Sequence, residues 1–231
     1  MPRGVGPALE KAIRAEPADR HPPAGSGVLF HPTRQEIYRQ LFRNPLSALA
    51  GISKALGIPE GTVRWHLDKL LKGEYVRAAP TNPPRYYPAG FVSPEEFPAF
   101  EALSAEGARQ VLQAIVEVQG STPAEIGEAA GISRHAVSRS LESLSALALV
   151  HSIADGNRRR YFLSGGLLEL VASHRERVKN FTRTLLRKLE ADGVHPQVVR
   201  HRLDELSVNV NRGGSRALVV IPLNPFGPVE F

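Results

Sequence analysis

The sequence predicts a mainly α chain with small β-hairpins, built as two copies of one unit followed by a long helix and a further hairpin. Three observations predict it. The apolar pattern of the first unit recurs 74 residues later without a gap. Each copy carries three runs of helical spacing and then a basic hairpin. Beyond the second copy, apolar residues recur at steps of four and three along a stretch long enough for a single extended helix. An internal repeat fixes architecture before any finer assignment.

In the repeat, Ile37 and Leu41 match Val111 and Ile115, and Ile52 matches Ile126. Gly57-Ile58 matches Gly131-Ile132. Val63, Leu67 and Leu70 match Val137, Leu141 and Leu144; Val76 matches Val150 and Tyr87 matches Tyr161. In the first copy, Thr33 to Arg43 has helical spacing, Pro32 suits its start and Asn44-Pro45 stops it. Leu49 to Leu56 forms a second helix ended by Gly57, a residue able to turn left-handed past a helix end. Pro59 and Glu60 open a third helix with Val63, Leu67 and Leu70 inside and Thr62, Arg64, Trp65, His66 and Lys69 on the open face. Gly73 closes it, and Arg77 to Tyr87 is a hairpin with Pro80, Asn82, Pro83 and Pro84 near its tip.

In the second copy, Ser121-Thr122-Pro123 followed by Glu125 starts the second helix. Ser133 caps the third, which leaves Ser133, Arg134, His135, Ser138 and Arg139 open. Val150 to Ile153 and Arg159 to Leu163 flank the turn signal Asp155-Gly156-Asn157. Helix, helix, tight turn, helix and basic hairpin in that order make a helix-turn-helix with a wing.

Gly57-Ile58-x-x-Gly61-Thr62-Val63-Arg64-Trp65-His66-Leu67-x-x-Leu70 resembles the turn and recognition helix of winged helix-turn-helix regulators of the ArsR/MarR type, particularly archaeal ones. Gly131-Ile132-Ser133-Arg134-x-x-Val137-Ser138-Arg139-x-Leu141-x-x-Leu144 resembles the same motif. The resemblance covers about residues 31–92 and 105–165. It implies a tail at 1–30, a first winged unit at 31–92, a linker at 93–104, a second winged unit at 105–165 and a C-terminal segment at 166–231. The chain has no cysteine, which excludes disulfides and the thiolate metal sensing of some ArsR members.

The tail, rich in Pro, Gly, Ala and Arg, lacks the apolar core of a signal peptide and reads as mobile. No segment approaches the ~20 apolar residues that span a bilayer. The expectation is a cytoplasmic, nucleoid-associated protein with no membrane partner. A formal charge of +6 suits a polyanionic partner. Residues 1–100 carry 13 Lys/Arg against 9 Asp/Glu, residues 101–165 carry 6 against 7, and residues 166–231 carry 10 against 7. The second unit is therefore close to neutral. Its positive charge sits at Arg134 and Arg139 and at Arg158-Arg159-Arg160.

A recognition helix enters the major groove, and a wing reaches the backbone or minor groove. Arg64 and Arg139 are the first candidates for bases, because a guanidinium bonds guanine O6 and N7 together. They occupy different repeat positions, so the copies read different sequences or one reads little. Thr62, Trp65, His66, Lys69, Ser133, Arg134, His135 and Ser138 complete the helix surfaces. Arg85 and Arg158 to Arg160 are candidates for phosphates.

Leu167, Val171, His174, Val178, Phe181 and Leu185 form the seam of the long helix, with basic residues outside. The expected role is a homodimer; the competing one is packing against the chain's own wings. A short helix from about Pro196 to Leu206 and a hairpin around Asn211-Arg212-Gly213-Gly214-Ser215 follow. The strand Leu218 to Ile221 is too apolar to stay bare. His174, His195 and His201 match no metal-site spacing, and no nucleophile elbow, phosphate loop or paired acids occur. Neither cofactor nor enzyme activity is expected, and no effector is readable. The functional expectation is a sequence-specific regulator on double-stranded DNA; the alternative is an architectural or complex-bridging protein.

Overall fold

The computed structural model describes residues 27 to 227, so most of the expected tail lies outside the described residues. Unit one contains α1 (Pro32–Arg43), β1 (Ser47–Ala48), α2 (Leu49–Leu56), α3 (Glu60–Lys72), β2 (Val76–Ala79) and β3 (Arg85–Pro88). A 3-10 turn at Pro94–Glu96 and helix α4 (Phe97–Leu103) link it to unit two. Unit two contains α5 (Glu106–Glu117), α6 (Pro123–Ala130), α7 (Arg134–Ala146), β4 (Val150–Asp155) and β5 (Arg158–Leu163). The chain ends in α8 (Gly165–Ala191), β6 (His195–His201), β7 (Glu205–Arg212) and β8 (Ser215–Pro222).

The helices repeat residue for residue. Helices α1, α2 and α3 begin and end 74 residues before α5, α6 and α7. Left-handed backbone recurs at the same places: Leu46 and Gly120, Gly57 and Gly131, Glu74 and Ala148. Gly57 and Gly131 close the second helices at φ 65° in both copies. A Cβ at either would meet open space. Glycine is therefore useful there for its φ, which costs other L residues about 1–2 kcal/mol. The expected caps form. Thr122 and Glu125 make a reciprocal capping box, and Ser133 Oγ accepts from the Ala136 N–H at 3.3 Å.

Beyond the long helix the architecture differs from expectation and is mixed α/β. In place of a short helix over Pro196 to Leu206 there is a strand, β6. The C-terminal segment is a three-stranded antiparallel sheet in the order β6-β7-β8. Val198 and Val199 are β-branched, and their polar neighbours supply no apolar helical face. The β7–β8 turn falls at Gly213-Gly214 as expected. Val219 and Ile221 of the apolar strand are buried, while Leu218 faces outward. Arg39 Nε of α1 donates to the Val220 carbonyl at 3.2 Å, seating β8 on unit one.

The seam of α8 packs within the chain, as the competing expectation had it. Leu167, Val171, His174, Val178, Phe181 and Leu185 are all buried within one chain. Phe181 meets Phe42 of α1 at 5.3 Å and Phe91 at 5.4 Å, between ring centroids. His174 meets Phe91, Phe100 of α4 and Phe226 at 4.7, 5.5 and 5.4 Å. Nearer its end, Tyr75 donates to Asp192 at 2.6 Å, and Lys188 Nζ lies 4.8 Å from the Tyr75 ring centre. His174 and Phe181 of the seam are thus met by the chain's own aromatics. A four-three period reports that a face is buried, not what buries it.

Beside this seam lies a buried ionic group. Glu96 accepts from the Ser93 N–H at 2.9 Å and pairs with Arg177 Nε at 3.2 Å; its other oxygen lies 3.8 Å from His174 Nδ1. Burial alone would push the Glu96 carboxyl up, but His174, the Ser93 N–H and Arg177 together hold it below the usual range. Burial dominates at His174 and pushes its pKa down, against the pull of Glu96.

Two outcomes follow from this packing. Val178→Glu and Phe181→Glu should unfold the chain in place of separating two chains, and Phe181→Ala should cost about 3–5 kcal/mol in urea denaturation. Acid should also destabilise the fold. As pH falls below 6.5, the ordinary histidine value, the unfolded chain takes up a proton that folded His174 resists. Below 4.5 the same holds for Glu96. Thermal midpoints should therefore drop between about pH 7.5 and about pH 5, and His174→Leu should flatten that part of the profile.

Candidate nucleic-acid interface

The open face of each third helix is set by the turn that precedes it. In unit one, Ser53 Oγ donates to the Ile58 carbonyl at 2.6 Å, and the Ile58 N–H donates to the Ser53 carbonyl at 3.2 Å. In unit two, the Ile132 N–H donates to the Gly127 carbonyl, also at 3.2 Å. A Cβ on Gly127 would lie 3.3 Å from Val137, so glycine lets α6 approach α7 closely. Each turn fixes which side of the third helix faces its own core.

On α3, Val63, Leu67 and Leu70 are buried, as the spacing predicts. Thr62, Arg64 and Trp65 are exposed. Trp65 retains 42% of its surface. The Lys69 ammonium sits 5.2 Å from the Trp65 ring centre, so this lysine is engaged by the indole. His66 departs from expectation. It is buried, with its ring 4.6 Å from that of His31, and belongs to the inner face. Its position, three after Val63 and four before Leu70, is helical spacing for the core side. The matching residue Ser140 is buried as well.

On α7, Ser133, Arg134, His135, Ser138 and Arg139 are all exposed. Ser133 uses its hydroxyl as the helix cap. Among the described residues, Arg64, Arg134, Arg139 and Arg158 form no ion pair within the chain.

The wings differ more than their sequences suggest. In unit one, β1, β3 and β2 form a three-stranded sheet. Arg85, expected on phosphates, instead pairs with Glu101 at 3.0 Å and donates to the Leu46 carbonyl at 3.2 Å. Arg77 is the exposed cation of this wing. Sequence reasoning passed over it, although its place next to the inward Val76 on a strand marks it as outward. In unit two, β4 and β5 pair over six residues each. Arg158 and Arg159 are exposed, and Arg159 donates to Ser152 Oγ at 3.3 Å. Arg160 is held by Asp155 at 2.6 Å and by the Gly120 carbonyl at 2.9 Å.

No group of three His, Cys, Asp or Glu side chains able to hold a metal occurs among the described residues. No described helix is long and apolar enough to cross a membrane. The surfaces suit polar and ionic contact with a polyanion.

Two family models match the two units. Residues 30–77 match the family model described as winged helix-turn-helix DNA-binding, and residues 103–160 match the MarR family model. A protein of Methanocaldococcus jannaschii, described as an uncharacterized HTH-type transcriptional regulator, is 29% identical over 146 residues. That match covers 62% of this chain and 36% of the relative. A crystal structure described as T. acidophilum IdeR covers 84% of this chain and 93% of that chain at 12% identity, with a TM-score of 0.21.

The wing of unit two yields a sharp expectation. Asp155→Ala removes a negative charge from the wing together with the ion pair of Arg160, which keeps its hydrogen bond to the Gly120 carbonyl. Duplex affinity at low salt should rise, and its salt dependence should steepen by about one counterion. Fluorescence anisotropy with a labelled duplex measures both.

Proposed function

We propose that this chain, a winged helix-turn-helix protein with a MarR-like second unit, is a sequence-specific regulator of transcription that binds double-stranded DNA. One observation carries the reading. Both third helices turn the same apolar face inward and present arginines that form no ion pair among the described residues, Arg64 in one and Arg134 and Arg139 in the other. The recognition helices enter major grooves, where these arginines read guanine. Arg77, Arg158 and Arg159 on the wings meet the phosphate backbone. Trp65 and Lys69 act together, with the indole holding the ammonium at the surface for a phosphate or base edge.

A second reading has an observation in its favour. Unit two carries 6 Lys/Arg against 7 Asp/Glu over residues 101–165. Such a near-neutral unit also suits a bridging protein, in which unit one grips DNA and unit two grips another protein. Mapping of bound genomic sites separates them: a regulator gives a few sharp sites beside promoters, and an architectural protein gives broad coverage.

Binding should be strongly salt dependent, falling about a hundredfold or more between about 50 mM and about 200 mM salt. Arg64→Ala and Arg139→Ala should each cost about 1–3 kcal/mol against the preferred site and little against random duplex. Neutralising Arg158 and Arg159 together should weaken both alike. Titrations of the purified variants against the two kinds of duplex check this. A wing variant that lost only the specific complex would reverse the assigned roles.

A further inference from the structure

The units agree where they are buried and disagree where they are open. At the common offset of 74, the inner faces of α3 and α7 pair Val63 with Val137, Leu67 with Leu141 and Leu70 with Leu144. The open faces pair Glu60 with Arg134, Arg64 with Ser138, Trp65 with Arg139 and Lys69 with Ser143. The first of these reverses charge at the opening turn of the helix. Asp68 and Glu142 alone keep their chemical type among the charged positions of this face. The two heads share a scaffold and differ as readers: an arginine favours guanine, whereas a glutamate favours cytosine N4.

The heads are also tied to each other. Arg109 of α5 donates to the Leu103 carbonyl of α4 at 2.7 Å and to the Arg43 carbonyl of α1 at 2.8 Å. Helix α8 spans both units. At its start, a Cβ on Gly166 would lie 2.5 Å from the Ala148 carbonyl oxygen of unit two. Farther along, Phe181 packs on Phe42 and Phe91 of unit one. Two-fold dimers read palindromes because their two heads are identical. Here one chain holds two unlike heads in a fixed relation, and the helix seam that would join two copies is filled from within.

We infer that a single chain recognises a non-palindromic, two-part duplex site, whose halves differ in sequence and stand at a fixed separation. This rests on the DNA-binding reading above and specifies its target. Each half is read by one unit. A palindrome would put the wrong sequence under one head, at a cost of about tenfold or more in affinity for each mismatched base pair.

The test is selection of bound sequences from a random duplex library with the full chain, followed by native mass measurement of the complex with the selected duplex. The expected result is a two-part motif without internal symmetry and one chain per duplex. Inserting about five base pairs between the halves, roughly half a helical turn, should lower affinity at least about tenfold. Repeating the selection with Arg64→Ala should blur one half of the motif, and with Arg139→Ala the other. Both arginines are exposed, so these variants should fold. A palindromic motif carrying two chains would overturn the inference. So would one short motif indifferent to the insertion, which would mean a single reading head. Binding without enrichment of any sequence would instead overturn the proposed regulator function.

Discussion

Phe181 sits edge-on between Phe42 and Phe91, with ring centroids 5.3 and 5.4 Å away. Through this contact α8 is committed to its own chain. Unit one presents Phe42 from α1 and Phe91 from beyond its wing; α4 adds Phe100 and the C-terminus adds Phe226. One turn after another, α8 covers them with Val171, His174, Val178 and Phe181. Burying a large aromatic side chain contributes a few kcal/mol each time. The seam therefore outweighs any single polar contact in the molecule. It also ties the winged units together: α8 starts against Ala148 of unit two and ends against Tyr75 of unit one.

The polar groups around the seam follow from that burial. Glu96 could not stay ionised in this environment without partners, and it has them in the Ser93 N–H, Arg177 and His174. Arg85 shows the same economy of partners at the surface. Once paired with Glu101 it is part of the joint between wing one and α4. Counting arginines in the sequence thus overstates the charge available to a polyanion. Arg85 and Arg160 are engaged by carboxylates, whereas among the described residues Arg64, Arg77, Arg134, Arg139 and Arg158 form no ion pair within the chain.

The repeat, its helix boundaries and its caps were legible in the sequence because they rest on local rules. Thr122 with Glu125, Ser133 before α7 and Gly57 after α2 each act within a turn of their own position. His66 lies inward, against the expectation from its polar type, because its spacing from Val63 and Leu70 places it on the buried side of α3. The α8 seam was legible as a buried face; its partner was not, since the period along one helix carries no information about what lies opposite. β6 was missed for a related reason. Val198 and Val199 stand among polar residues, and their strand exists through pairing with β7, a contact distant in sequence from any local signal. Of the exposed basic surface, Arg64 and the open α7 residues were readable as exposed, while the pairing of Arg85 and Arg160 depended on acids placed by tertiary structure.

The central claim is that the two winged units and α8 fold as one body. The chain has one tryptophan, Trp65, and it lies on α3 of unit one. Its fluorescence therefore follows unit one alone, whereas far-ultraviolet circular dichroism follows the helices of both units and α8. Equilibrium unfolding in urea, recorded with both probes on the same samples, measures the coupling directly. One body requires coincident transitions with the same midpoint and slope. Two separated transitions, with Trp65 reporting only one of them, would contradict the account.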